Sequence, residues 1–431
     1  MHDVAELWEQ HGVYLNTATY GLPPKTAYDA TIAALADWRT GRTSEDAWEA
    51  CTERARATFA KLVNVKPESV ACGATVSELI GLVAASLPDG ARVLTAENDF
   101  ASTLFPFTVH GGRGVTVDAV PLASLVDALS ESYAIVVVSH VQAYSGEVAD
   151  LHGLLEKCGR TNTLLCVDAT QSCGWLDTDA SKIDFYVCHA YKWLLSPRGS
   201  ALMAVRRDRL QSLIPLHAGW WATDDPNNNL FGLPNRISKD TARRIDTSPA
   251  WFSWVGTAAA LDVISEIGVE VIEAHNMRLA RRFCDKMGLP VPVSPIVYVS
   301  SSDGLERLLA KDIRASVRAG RTRVSFHLYN SEADVDRTVA ALTSCQRIVI
   351  GPADHKGWPH RIARGKRCLP SYNFIELGQA MLALVRLAPL QRRREHAFAG
   401  AEGGEVRGFG MVDDDGDRGL FRHELARLGD G

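Results

Sequence analysis

The stretch DFYVCHAYKWLLSPRGSALM, residues 184–203, decides the fold. Its opening run, DFYVCHA, is aromatic and β-branched without regular polar alternation, the pattern of a strand buried on both faces. Lys192 follows directly, with Tyr191 before it and Trp193, Leu194 and Leu195 after it. Lysine is among the side chains least often removed from water. Either its ammonium reaches solvent along an apolar stem, the commoner outcome, or it is a chemical tool.

Outward from that stretch, residues 55–205 alternate amphipathic helical segments, such as SLVDALSESY and LHGLLEKCG, with short apolar runs: ARVLTA, GVTVDAV, AIVVVSH, TLLCVDA and SALMAV. Apolar runs separated by helices predict an α/β fold with a large, mainly parallel mixed sheet flanked by helices. The expected organisation is an N-terminal helical segment at 1–15, a large domain at 16–254 and a smaller α+β domain at 255–344. That smaller domain takes in SPIVYVS, RTRVSFHLY and SEADVDRTVAAL. Beyond it, 345–431 is rich in Gly, Arg and Asp, holds one helical candidate (IELGQAMLALVRLAPL), and is expected to be poorly ordered and without chemistry.

The chain has 431 residues, 46% hydrophobic and 23% charged, with a formal net charge of −5. That charge gives no long-range attraction to nucleic acid or anionic lipid, so a small-molecule ligand is expected. No apolar run approaches the roughly 20 residues that span a bilayer, and MHDVAELWEQHGVYL lacks the basic and apolar regions of a signal peptide. Nine cysteines are scattered without CxxC pairs, which suits reduced thiols and a cytoplasmic location.

Three elements carry the candidate chemistry. TLLCVDATQSCG ends a strand on Asp168, at the carboxyl edge where open α/β sheets bind ligands, although Asp also caps turns. Lys192 arrives 192 − 168 = 24 residues later, enough for one connection and a neighbouring strand. A lysine held in an apolar pocket loses affinity for its proton and becomes a nucleophile able to form a Schiff base, and a facing carboxylate suits the pyridine nitrogen of pyridoxal phosphate. The third element, SVACGATVSELIGLVAASL, places Gly73, Ala74 and Thr75 before a helix, offering N–H groups and the positive end of a dipole to a phosphate. Thr75 is equally an ordinary N-cap.

The order GAT, VDATQ, DFYVCHAYKWLLSPRG and RVSFHLYNSEADVD resembles the class V aminotransferase family of fold-type I pyridoxal phosphate enzymes over residues 10–344. That family includes isopenicillin N epimerase, cysteine desulfurases, kynureninase and C–S lyases. The resemblance implies that Lys192 carries the cofactor and shuttles the Cα proton, that Asp168 pairs with the pyridine nitrogen, and that Gln171 approaches the phenolic oxygen. Ala74, Thr75, His189 and Tyr191 are implied around the phosphate. Phe100 is implied over the ring. Gln142 and His140 follow another buried strand, AIVVVSH, and are expected to line the same crevice, with a purely structural role as the alternative. Arg323, rather than Arg321 two residues away, is implied as the clamp for the substrate carboxylate, with Asn16 and Trp220 at the substrate. Each has a structural alternative: Phe100 as core, His189 as a satisfied buried histidine, Trp220 and Trp221 as interface packing. The family completes its phosphate site with a loop of a second subunit, which implies a homodimer and points to Thr247 or Ser248.

Persulfide-forming desulfurases carry a cysteine shortly before the carboxylate-binding arginine. Here LERLLAKDIRASVRAGRTR has none, and Cys284 and Cys345 lie to either side. Cys173 and Cys188 read as packed residues. The expected reaction is therefore β-elimination of the C–S lyase type, with transamination and epimerisation as alternatives. A non-catalytic descendant of the fold is disfavoured because Lys192 and Asp168 are both present. A nucleotide-binding protein is disfavoured because neither GxGxxG nor GxxxxGK[ST] occurs.

Overall fold

The structure is a computed structural model, and it describes residues 4–232 and 236–343. The tail at 345–431, its helical candidate and Cys345 lie outside the described residues.

The N-terminal segment differs from the expected helix. Val4–Leu7 makes a single 3-10 turn, and β1 (Val13–Tyr14) is a strand. Gly12 explains the break: its φ of +69° is left-handed, and a Cβ there would lie 2.4 Å from the Asp312 carbonyl oxygen.

Helices α1 (Lys25–Arg39) and α2 (Glu45–Leu62) follow. The main sheet then begins with β2 (Val70–Gly73), α3 (Val76–Ala85), β3 (Arg92–Ala96), α4 (Ala101–Thr108) and β4 (Thr116–Val120). It continues through α5 (Leu125–Ala128), β5 (Ile135–Ser139), α6 (Leu151–Thr161), β6 (Leu164–Asp168), β7 (Phe185–His189) and β8 (Ala201–Val205). Of the expected helical stretch SLVDALSESY only α5's four residues are α-helical, because Leu129 turns to extended backbone at ψ 128°.

The strand order is β2-β8-β7-β6-β5-β3-β4. The five strands from β7 to β4 run parallel, while β8 is antiparallel to both its neighbours. Every residue of β5, β7 and β8 is buried, which is why their sequences show no alternation. The sheet separates two apolar clusters: Phe59, Val138, Tyr186 and Leu261 belong to one, and Ile80, Val137, Phe185 and Met203 to the other.

Helix α7 (Trp251–Ile267) packs on α1 and α2, and α8 (Val269–Met287) leads to a second sheet. That sheet is built from β9 (Ile296–Val299) and, after α9 (Gly304–Leu309) and β10 (Ile313–Arg314), from β11 (Ser316–Arg318) and β12 (Arg321–Ser325). It is antiparallel in the order β11-β12-β9, and α8, α9 and α10 (Glu332–Thr343) share its core of Phe283, Leu308, Val324 and Val335. β1 pairs in parallel with β10, so the N-terminal strand joins this smaller α+β unit.

Candidate active site

β6 and β7 are adjacent parallel strands with Asp168 opposite Val187, so both C-terminal ends open on one edge of the sheet. Asp168 is buried there. Its Oδ2 accepts the Thr103 hydroxyl at 2.8 Å and its Oδ1 accepts the Thr170 N–H at 2.9 Å. The loop after β7 carries Lys192, 6% exposed, whose Nζ lies 5.3 Å from the centre of the Phe100 ring and 5.9 Å from that of Tyr191. Among the described residues the amine has no hydrogen bond and no ion pair. Burial draws its pKa from 10.5 down to about 8; Asp168 opposes the shift and Arg323 adds to it. The loop is held by the left-handed Leu195, at φ 57°, and by the Ser196 N–H to Ala190 O bond of 3.2 Å.

Two cavities meet at the lysine. One, of about 260 Å³, extends to Thr75, Ser77, Ser102, Asp168 and His189, and the other, of about 390 Å³, extends to Thr19, Tyr144, Arg318 and Arg323. Phe100, Ala143, Gln171, Tyr191, Lys192 and Arg198 wall both. Gln171 donates through Nε2 to Ala18 O at 2.9 Å and accepts the Trp193 indole N–H at 2.8 Å, leaving one amide hydrogen outside these bonds. The Tyr191 ring stacks on Tyr20, meets the His189 ring edge-on, and lies under the Arg198 guanidinium at 4.9 Å.

The turn before α3 is a capping box. Thr75 Oγ1 accepts the Glu78 N–H at 3.2 Å, and the Glu78 carboxylate accepts the N–H groups of Ala74 at 2.9 Å and Thr75 at 3.3 Å. The next donor, Val76 N–H, goes to His189 Nε2 at 3.1 Å, and His189 is kept neutral by burial, its pKa lowered to about 4. Thr75 and His189 therefore do line the smaller cavity, but Ala74 has given its N–H to Glu78.

At the other end Arg323 is 2% exposed, and burial lowers its pKa. Its guanidinium donates to Ser316 Oγ at 3.2 Å, Ala143 O at 3.4 Å and Thr19 Oγ1 at 2.6 Å, all of them neutral acceptors. Arg321 instead stacks over Tyr298 at 4.5 Å and bonds Tyr144 O at 2.9 Å, outside both cavities.

Several expected residues stand elsewhere. Gln142 is buried with its amide on Asp99 Oδ2 at 3.1 Å, an oxygen that also accepts the Ser139 N–H, while Asp99 Oδ1 accepts the Phe100 N–H, so Gln142 braces the floor and does not face the cavity. His140 is buried behind Asp168, whose carbonyl accepts its N–H at 2.9 Å. Asn16 forms a bridge to Ser325, and Ala18 and Thr19 reach the cavity in its place. Trp220 lines a separate cavity with Leu230, Phe231 and Arg236, while Trp221 is buried under the Arg243 guanidinium. Ser248 is exposed outside both cavities, and the Thr247 N–H bonds Cys72 O at 3.3 Å.

Residues missed from sequence include Thr103 on Asp168, Thr19 on Arg323, and the cations Arg198 and Arg318 in the walls. The arginine of SPRG followed the lysine by six positions and was the one available signal among them.

Similarity to known proteins agrees with this geometry. Residues 17–290, well over half of the chain, match the family model for class V aminotransferases. An uncharacterised aminotransferase, YcbU, of Bacillus subtilis is 27% identical over 310 residues, 67% of this chain and 82% of that protein. Isopenicillin N epimerase of Amycolatopsis lactamdurans is 25% identical over 67% of this chain and 83% of its own length. Among solved structures, the cystine C–S lyase C-DES superposes with a TM-score of 0.70 at 20% identity, covering 77% of this chain and 97% of that one.

The donor set fits pyridoxal phosphate: a buried amine of lowered proton affinity, a buried carboxylate in the same cavity, an aromatic ring beside the amine, and hydroxyls at the far end. With the sheet order, the Asp168–Lys192 cavity and the match over 17–290 in agreement, the chain belongs to the class V aminotransferase family of pyridoxal phosphate enzymes.

Proposed function

We propose that the chain catalyses β-elimination from a sulfur-bearing amino acid, releasing the sulfur as a small product. Bound cofactor supplies an electron sink that stabilises negative charge at Cα. Lys192 would hold the cofactor, take the Cα proton and pass it to the departing sulfur as the Cβ–S bond breaks, a role that a pKa of about 8 supports, because the amine exchanges protons near neutrality. Asp168, fixed by Thr103 and Thr170, keeps the pyridine nitrogen protonated. Phe100 covers the ring face, and Gln171 offers its remaining amide hydrogen to the phenolic oxygen. Thr75, His189 and Tyr191 border the phosphate. Arg323 takes the substrate carboxylate, exchanging neutral acceptors for an anion.

The observation that carries elimination over persulfide transfer is the wall beside Arg323. There Arg318–Arg321 is a tight hairpin with left-handed Ala319 and Gly320 at its tip, and among the described residues no cysteine lines either cavity. Burial pushes the thiols of Cys72, Cys158, Cys166, Cys188 and Cys284 upward, away from the nucleophilic thiolate. The enzyme is read as a cytoplasmic homodimer. Free thiols at all seven described cysteines support the compartment, and the exposed Ser248 supports contact with a second subunit.

The test is an assay of pyruvate and ammonia release from cysteine conjugates, against amino transfer to a 2-oxo acid. Keto acid and ammonia without an acceptor are expected. Strict dependence on an acceptor would establish transamination, and racemised substrate without keto acid would establish epimerisation.

A further inference from the structure

A phosphate at the far end of the smaller cavity needs charge and donors, and the turn that ordinarily offers them is largely committed. Ala74 and Thr75 give their N–H groups to Glu78, Val76 gives its own to His189, and the Glu78 carboxylate adds negative charge. His189 is neutral and accepts through Nε2, so it brings no cation. Thr75, Ser77 and Ser102 contribute neutral groups and no charge. Two cationic side chains wall this cavity, Lys192 and Arg198, and Lys192 is the amine that holds the cofactor's carbonyl carbon.

We propose that Arg198 is the cationic ligand of the cofactor phosphate. This rests on the reading of Lys192 as the cofactor lysine. The guanidinium is placed for the task by Tyr191, over whose ring it lies at 4.9 Å, and that ring meets His189 at 4.8 Å between centroids. Arg198 is thus carried toward the turn before α3. Its charge is felt at His189 and Tyr191, whereas Lys192 feels Arg323 and Arg318 from the opposite end. The cations accordingly differ in reach: Arg318 and Arg323 wall only the larger cavity, whereas Arg198 walls both and is the guanidinium that borders the smaller one. A planar, permanently charged fork matches phosphate oxygens in pairs. Because Arg198 is exposed at the mouth, its replacement leaves the core intact.

The experiment compares pyridoxal phosphate with pyridoxal, which lacks the phosphate, by equilibrium dialysis and visible absorbance on the full chain and on Arg198→Ala and Arg198→Lys. Arg198→Ala is expected to weaken pyridoxal phosphate by about tenfold or more, the scale of a lost charge-assisted bond, while pyridoxal affinity stays within about twofold. Arg198→Lys should recover part of the loss, because it restores the charge without the paired geometry of the fork. An undiminished affinity for pyridoxal phosphate, or an equal loss for both compounds, would overturn the assignment of Arg198. Failure of the unsubstituted chain to bind pyridoxal phosphate would overturn the lysine reading, and this proposal with it.

Discussion

Among the regions that bury charge, two do so to opposite ends. Under β2, Arg56 and Asp246 form a closed set: the guanidinium bonds the carboxylate at 2.5 Å and the Val70 carbonyl, and the carboxylate accepts the Cys72 N–H at 2.7 Å. In the cavity, Lys192 has no bonded partner among the described residues and Arg323 has only neutral ones. Desolvating a charge costs several kcal/mol unless a partner offsets it. The first region meets that cost internally and holds the chain together, whereas the second leaves it unmet until a ligand arrives. Buried charge with a complete set of partners marks architecture, and buried charge with an incomplete set marks chemistry.

Lys192→Ala should show the largest difference between the two regions. It should remove the yellow cofactor absorbance and lower turnover by at least about 10³-fold, within the range for a positioned acid–base group, without loss of folding. Full absorbance with retained turnover would refute the role given to the amine. Asp246→Ala should do the reverse. It strands Arg56 and costs about 3–5 kcal/mol in urea unfolding, while turnover per folded molecule stays close to that of the parent.

The pH dependence of the cofactor-free protein separates the regions again. Lys192 binds its proton less tightly folded, at about 8, than unfolded, near 10.5. Between those values the unfolded chain holds more protons, so stability must rise with pH across that window. The rise should disappear in Lys192→Met, and urea midpoints read at several pH values check it. Arg323→Gln should raise KM by about tenfold to a hundredfold, the worth of a charge-assisted bond, with a smaller change in kcat. Thr75→Ala should be mildest, costing about 1 kcal/mol of stability through the lost cap, as read by thermal unfolding.

The sequence made the floor of the site legible and left its walls obscure. Asp168 ends the apolar strand β6 and Lys192 follows the buried strand β7 by three residues, apolar runs that are local signals, and the register of β6 with β7 brings both to one edge. Arg323 was separable from Arg321 only by resemblance, since both occupy one face of β12; what turns Arg321 outward is stacking on Tyr298, contributed by β9. Gln142 faces Asp99 because a buried carboxylate requires donors, a demand that involves residues 43 positions apart. Asn16 lies two residues from Ala18, which reaches the cavity, but strand pairing at Ser325 sets its direction, and Trp220 lies in a segment that lines a separate cavity with Phe231. Arg198 and Arg318 are exposed arginines, and nothing local separates such a residue from any other surface cation.

Gly21 carries a consequence of its own. Its N–H bonds the Tyr191 carbonyl at 2.9 Å, and a Cβ built on it would sit 2.1 Å from the Lys192 carbonyl oxygen. Even alanine at position 21 would force the N-terminal segment away from the lysine loop. Anyone grafting this catalytic edge onto another scaffold must therefore transplant a hydrogen atom at position 21 as faithfully as the amine itself.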